Sequence, residues 1–242
     1  MARDREDLPS FRKAFWGAAL LSLVLWIIPF GGLLIYPVTV LATWAHELGH
    51  GLTALLVGGE LDSLELFAGG GGVAHTRTSE PWQLALVCLG GLLGTPLGGI
   101  TTLMLGSYRR MVPVLLGSLV VMLALSVVLW VRSPFGMVAC LGLAVLVGVL
   151  GWRLRPARRF LLVQFIGLQL ALSSLSRMDY LFTGEARLGP TRVMTSDVGI
   201  IADALGGHFL MWGIPIAVLQ LALLYGAYRF VDWRLDQPTK PR

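Results

Sequence analysis

Charge is what this chain carries least of. Only 14% of its 242 residues are Asp, Glu, Lys or Arg, whereas soluble domains carry about 25%. With 55% hydrophobic residues and a mean hydropathy of +0.74, that scarcity excludes a free-standing soluble enzyme and points to one integral membrane domain, without room for a large soluble partner. Cysteine is nearly absent. Cys88 and Cys140 both sit in apolar runs, so no disulfide framework is implied and both read as small core residues. The net charge of +5 comes from scattered basic residues with no basic aromatic platform, which excludes a nucleic-acid partner. No Lys-Ser/Thr follows the glycine run Gly69 to Gly72, so it is not a phosphate-binding loop. The first apolar run lacks a small-residue cleavage site. It reads as a retained membrane helix after a polar tail, residues 1–13, and not as a cleaved signal.

What is there is a succession of apolar runs long enough to cross about 30 Å of hydrocarbon. They cover 14–36, 38–58, 82–108, 111–131, 133–152, 160–182 and 208–228, with a charged tail from 231. Pro29, Gly31 and Gly32 blur the end of the first. The sequence therefore predicts an all-α polytopic membrane protein of about six or seven transmembrane helices. Residues 60–80 break the pattern: Leu61, Leu64, Leu66 and Val73 alternate loosely with polar or small residues around the four glycines, which predicts a short β-like segment. Gly90, Gly91 and Gly94 fall near one flank of the third run, where small residues let membrane helices approach closely. Arg153, Arg155, Arg158 and Arg159 form a basic connector suited to lipid headgroups. Residues 184–207 read as a polar connector, with Thr195-Ser196-Asp197 resembling a helix start and Val198 to Leu205 an amphipathic turn or two. If every run crosses, Lys and Arg divide almost evenly between the two faces, and charge does not orient the chain.

Inside the second run stands His46-Glu47-Leu48-Gly49-His50, an H-E-x-x-H motif. No Asp, Glu, Lys or Arg occurs between Lys13 and Glu47. On a helix, residues four apart share a face, so the two imidazoles can hold one Zn²⁺ at about 2.0–2.1 Å. Glu47 is placed to act as general base. A carboxylate at the centre of a membrane helix costs about 2.5–3.5 kcal/mol, so a purely structural helix would not normally carry one beside two histidines.

A catalytic zinc usually takes three protein ligands. The soluble pattern that adds a third histidine six residues on is closed, because position 56 is Leu56. Asp179, late in the sixth run, is the leading third ligand, Asp197 in the connector the runner-up, and Asp203 a distant third. Three crossings separate the motif helix from that of Asp179, so the two should run parallel. Counted from the starts of their helices, His50 and Asp179 differ in depth by roughly 10 Å, less if the motif helix begins before Pro37. Asp197 has a simpler explanation as a helix-start carboxylate that reaches water. His75 is a lone loop histidine.

At these residues the chain resembles the site-2 protease family of intramembrane zinc metalloproteases, in its small branch without large soluble domains. The resemblance rests on His46-Glu47-Leu48-Gly49-His50-Gly51, Val57-Gly58-Gly59, the glycine-bearing segment up to His75, and Leu89-Gly90-Gly91-Leu92-Leu93-Gly94-Thr95-Pro96. It implies Zn²⁺ as cofactor, Glu47 as catalytic base, a membrane-helix Asp as third ligand, and a membrane-embedded protein substrate within the lipid bilayer of a bacterial cell. It also implies that the segment Glu60 to Val73 pairs with an extended substrate. The family's L-D-G-type motif is replaced here by Met178-Asp179-Tyr180. Two other readings compete. One is a zinc protease completed by a later Glu, for which the C-terminal half offers only Glu185. The other is a non-catalytic zinc-binding scaffold, for which the intact Glu47 has no use.

Overall fold

A computed structural model describes residues 11–176, 181–188 and 192–236. Eight α-helices and two small hairpins follow in order: α1 (Phe11–Ile27), α2 (Gly31–Leu56), β1 (Glu60–Leu66), β2 (Gly72–Arg77), α3 (Pro81–Gly106), a 3-10 turn (Arg109–Met111), α4 (Val112–Leu129), α5 (Pro134–Arg153), α6 (Pro156–Ser176), β3 (Glu185–Leu188), β4 (Arg192–Thr195), α7 (Asp197–Leu205) and α8 (Phe209–Asp236). Among the described residues, four helical stretches are long and apolar enough to cross a membrane: α3, α4 with its preceding turn, α5 and α8. α2 and α6 have spanning length but carry polar side chains, His46, Glu47 and His50 in one and Gln164 and Gln169 in the other. The all-α polytopic expectation holds.

The boundary between the first two helices differs from the sequence reading. The chain breaks at Ile28-Pro29-Phe30, and Phe30 takes a left-handed φ of 65°. Pro37, which was expected to precede the motif helix, lies inside it. A proline costs one i→i−4 bond and is tolerated in apolar helices where neighbours support the backbone. α2 therefore starts about two turns earlier than expected, and His50 lies less than two turns before its end at Leu56.

The motif helix is held mainly by α3, which runs antiparallel to it. Thr95 donates to the Ala42 carbonyl, and Gln83 near the other end donates to that of Val57. Between these clasps the backbones nearly touch. A Cβ on Gly94 would sit 3.1 Å from Cα of Gly49, and one on Gly49 would strike the Gly90 carbonyl. Pro96 cannot donate to the Leu92 carbonyl, and Gln220 of α8 supplies the missing hydrogen bond at 2.9 Å. α6 packs antiparallel on α3, with Gly167 and Ala171 against Gly99 and Val163 against Gly106. Hence α6 runs parallel to α2, as the crossing count requires.

The β-like segment is an antiparallel hairpin, Glu60 opposite Arg77 and Leu66 opposite Gly72. Its turn folds back along α2: Thr43 donates to the Gly70 carbonyl (2.7 Å) and Tyr36 to that of Ala68 (2.8 Å). Gly70 takes a φ of +82°, which favours glycine. The outer edge of β1 is occupied. Leu64 accepts from Arg132 N–H and donates to the Trp130 carbonyl, while Ser133 Oγ bonds both backbone groups of Leu66. Among the described residues, nothing pairs with the outer edge of β2.

The α2–α3 contact yields a stability prediction. Gly94→Leu overpacks a backbone-to-backbone interface, at a cost of about 1–3 kcal/mol. Its thermal midpoint in detergent should fall clearly below that of the parent. An unchanged midpoint would place this flank against lipid.

Candidate metal centre

Helical spacing brings His46 and His50 onto one face of α2, with their Nε2 atoms 3.1 Å apart. The third group at this point is Asp197. Its Oδ2 lies 3.3 Å from His46 Nε2 and 3.4 Å from His50 Nε2. These three are the metal-capable cluster among the described residues. Asp179, the leading third ligand by sequence, lies outside the described residues. Asp203 is in α7, six residues beyond Asp197. His75 is exposed on β2, 3.7 Å from Glu65 Oε1 on β1.

The expectation that Asp197 reaches water is corrected, because it is only 6% exposed. The connector folds into the β3–β4 hairpin and α7, which the sequence reading had only in part. Ser196 caps α7 by accepting from Gly199 N–H, and its own N–H and hydroxyl donate to the Gly184 and Thr183 carbonyls. Val198, Ile201 and Ala202 then bury against Ala85, Cys88 and Leu92 of α3. Asp197 is the first residue of the helix so anchored, which aims its carboxylate at the histidines. The i, i+3, i+4, i+7 run Val198, Ile201, Ala202, Leu205 was the available signal for that burial.

One turn of α3 supports both sides of the cluster. His50 Nδ1 is 2.9 Å from the Val87 carbonyl, an acceptor only, so Nδ1 carries the proton and the Nε2 lone pair faces the centre. Gly91 leaves room for the ring, since any Cβ there would meet the imidazole. Cys88, on the same turn, lies beside Asp197. Nothing in the sequence marks a backbone carbonyl as an imidazole acceptor, so Val87 was not foreseen, and Cys88 was read as core alone.

Asp197 Oδ2 is buried and has no hydrogen-bond partner, although two ring nitrogens lie within 3.4 Å. Orphaned buried carboxylate oxygens are costly and call for a cation. The donor triangle fits one: a tetrahedral site with bonds of about 2.0–2.1 Å has edges of roughly 3.3–3.4 Å. Glu47, buried beside the cluster, points toward the hairpin, where a Cβ on Gly72 would lie 2.9 Å from its Oε1.

A polytopic helical protein with an H-E-x-x-H helix and a converging carboxylate belongs to the class of membrane-embedded peptidases. The Peptidase M50B-like family model matches residues 16–227, and the chain belongs to that family, a division of the site-2 proteases. No curated protein and no solved structure matches it.

The Gly91 contact makes the site testable. Gly91→Ala should push His50 off the Val87 carbonyl, and the purified variant should lose zinc more readily than the parent on dialysis against a weak chelator. Equal retention would show that α3 does not set the ring's position.

Proposed function

We propose that this chain is a zinc-dependent intramembrane endopeptidase, with His46, His50 and Asp197 as metal ligands and Glu47 as general base. The observation that carries the reading is the triangle of buried donors with one orphaned carboxylate oxygen, on the motif of a peptidase family. Bound there, zinc would supply Lewis-acid polarisation of a carbonyl and acidification of water. The chain's own residues do the rest. The Val87 carbonyl holds the His50 ring from outside the cluster, and the Ser196 cap with the packing of α7 on α3 holds Asp197. Glu47 takes the proton of the attacking water and passes it to the leaving amine.

A helical substrate hides its carbonyls in hydrogen bonds and must unwind before attack. The open edge of β2 offers an unwound segment replacement partners, and Gly72 brings that edge beside Glu47. The other edge of the hairpin is taken by Trp130 to Ser133. The rival zinc protease with a helix-borne Glu has no donor here, since Glu185 lies in β3. The scaffold reading leaves a buried Glu47 beside the donors without a role.

Glu47→Gln separates catalysis from scaffolding. The variant should keep its fold and zinc while cleavage of single-span test substrates accepted by the parent falls about 10²–10⁴-fold. Normal zinc content with undiminished cleavage would overturn the assignment.

A further inference from the structure

Two anchors set the position of the β1–β2 hairpin over the motif helix. The first is its turn. Thr43 and Glu47 are four residues apart on α2 and face the turn together: Thr43 donates to the Gly70 carbonyl, and a Cβ on Gly72 would meet both side chains. The second anchor is the junction between α4 and α5, which holds β1 from the other side. Leu64 pairs through its backbone with Trp130 and Arg132, and Leu66 with the Ser133 hydroxyl. Leu64, Leu66 and Val131 are all buried there. The height of the hairpin over α2 therefore depends on where the end of α4 stands.

A hydrogen bond in the apolar interior ties that end to the motif helix. The indole N–H of Trp44 donates to Ser126 Oγ, near the end of α4, at 2.9 Å. Both residues are buried, at 3% and 1% exposure. Ser126 Oγ itself donates to the Leu123 carbonyl, so its hydrogen is committed and a lone pair is left for the indole. The Ser126 carbonyl accepts from Trp130 N–H and Val131 N–H, which turns the chain out of α4 into the stretch that pairs with Leu64. One residue thus receives the motif helix and shapes the junction that holds β1. Apolar contact gives little register inside a bilayer, because lipid tails are as apolar as the side chains; close packing and interhelical hydrogen bonds set it instead. Trp44 is not part of the donor cluster. It stands two residues before His46, and positions two apart do not share a helix face. It stands three residues before Glu47, on the neighbouring flank.

We propose that Trp44 and Ser126 are positioning residues, and that their hydrogen bond sets the height of the open β2 edge over Glu47 by way of the α4–α5 junction and β1. The contacts close a circuit: Trp44 to Ser126, Val131 to Leu64, β1 to β2, and Gly72 back to Glu47. Both ends of the circuit lie on α2. Breaking the bond frees the end of α4, and the strand edge shifts with it, while His50 keeps the Val87 carbonyl and α7 keeps its packing on α3. An unwound substrate still pairs with the edge, but its carbonyl arrives off the line of attack. The kinetic consequence rests on the protease reading, whereas the position of the hairpin does not.

The test uses the full zinc-loaded chain in detergent, as Trp44→Phe, which keeps an aromatic ring and removes the N–H, as Ser126→Ala, and as the double variant. Hydrogen–deuterium exchange across residues 60–77 should quicken about fivefold in each single variant, the change expected for one hydrogen bond of ordinary net strength. The double variant should exchange no faster than the singles, because the two substitutions remove the same bond. Zinc content and exchange in α3 should match the parent. On a single-span substrate that the parent cleaves, kcat should fall about tenfold with KM little changed, since a displaced carbonyl acts on the chemical step. Should one single variant not accumulate, the other carries the comparison with the parent. Hairpin exchange at the parent's rate, loss of zinc, faster exchange throughout the helices, additive effects in the double variant, or failure of both singles to fold would overturn the proposal. If the parent cleaves no substrate, the protease reading fails, and the exchange result still decides the positioning.

Discussion

Putting a carboxylate and two imidazoles inside an apolar chain is expensive unless they neutralise one another or share a cation. That constraint shapes everything around the centre. His46 and His50 come from one helix, and the carboxylate comes from another part of the chain 147 positions beyond His50. The backbone must bring the two together through helices that offer few polar handles. It does so with close glycine contacts between α2 and α3 and with hydrogen bonds at the clasp points. Thr95, Gln83 and Gln220 all donate to backbone carbonyls, so each of these three donors meets an acceptor. α3 is the common support: it backs the motif helix on one side and α7 on the other.

The same economy of polar groups explains the hairpin. A strand edge in hydrocarbon would leave backbone amides unsatisfied. β1 solves this by pairing with the Trp130 to Ser133 segment between α4 and α5. β2 keeps an open edge, and its first residue abuts Glu47. Under the protease reading, the unsatisfied edge is the receptive surface, because an unwound substrate brings complementary N–H and C=O groups.

Much of this was legible in the sequence. H-E-x-x-H at helical spacing located two of the three side chains that cluster, the glycine run located the hairpin turn, and Gly90, Gly91 and Gly94 located the α2–α3 contact. The third donor was harder, for a physical reason. Asp179 looked costly because an apolar helix surrounds it, and Asp197 looked affordable because a connector does. Burial of Asp197 arises from packing that spans the chain: the Ser196 cap fixes the start of α7, and Val198, Ile201 and Ala202 seal it against α3. Short strands such as Glu185 to Leu188 carry no strong alternation, so the hairpin that turns the connector inward could not be read from pattern. The start of α2 was misplaced for a related reason. Pro37 normally ends a helix, but membrane packing tolerates it in the interior.

The central claim is that Asp197 completes the metal centre. Zinc content of two purified alanine variants, after dialysis against a weak chelator, tests it most directly. The account predicts that Asp197→Ala loses its zinc while Asp179→Ala retains it at the level of the parent. Zinc retained by Asp197→Ala and lost from Asp179→Ala would contradict it.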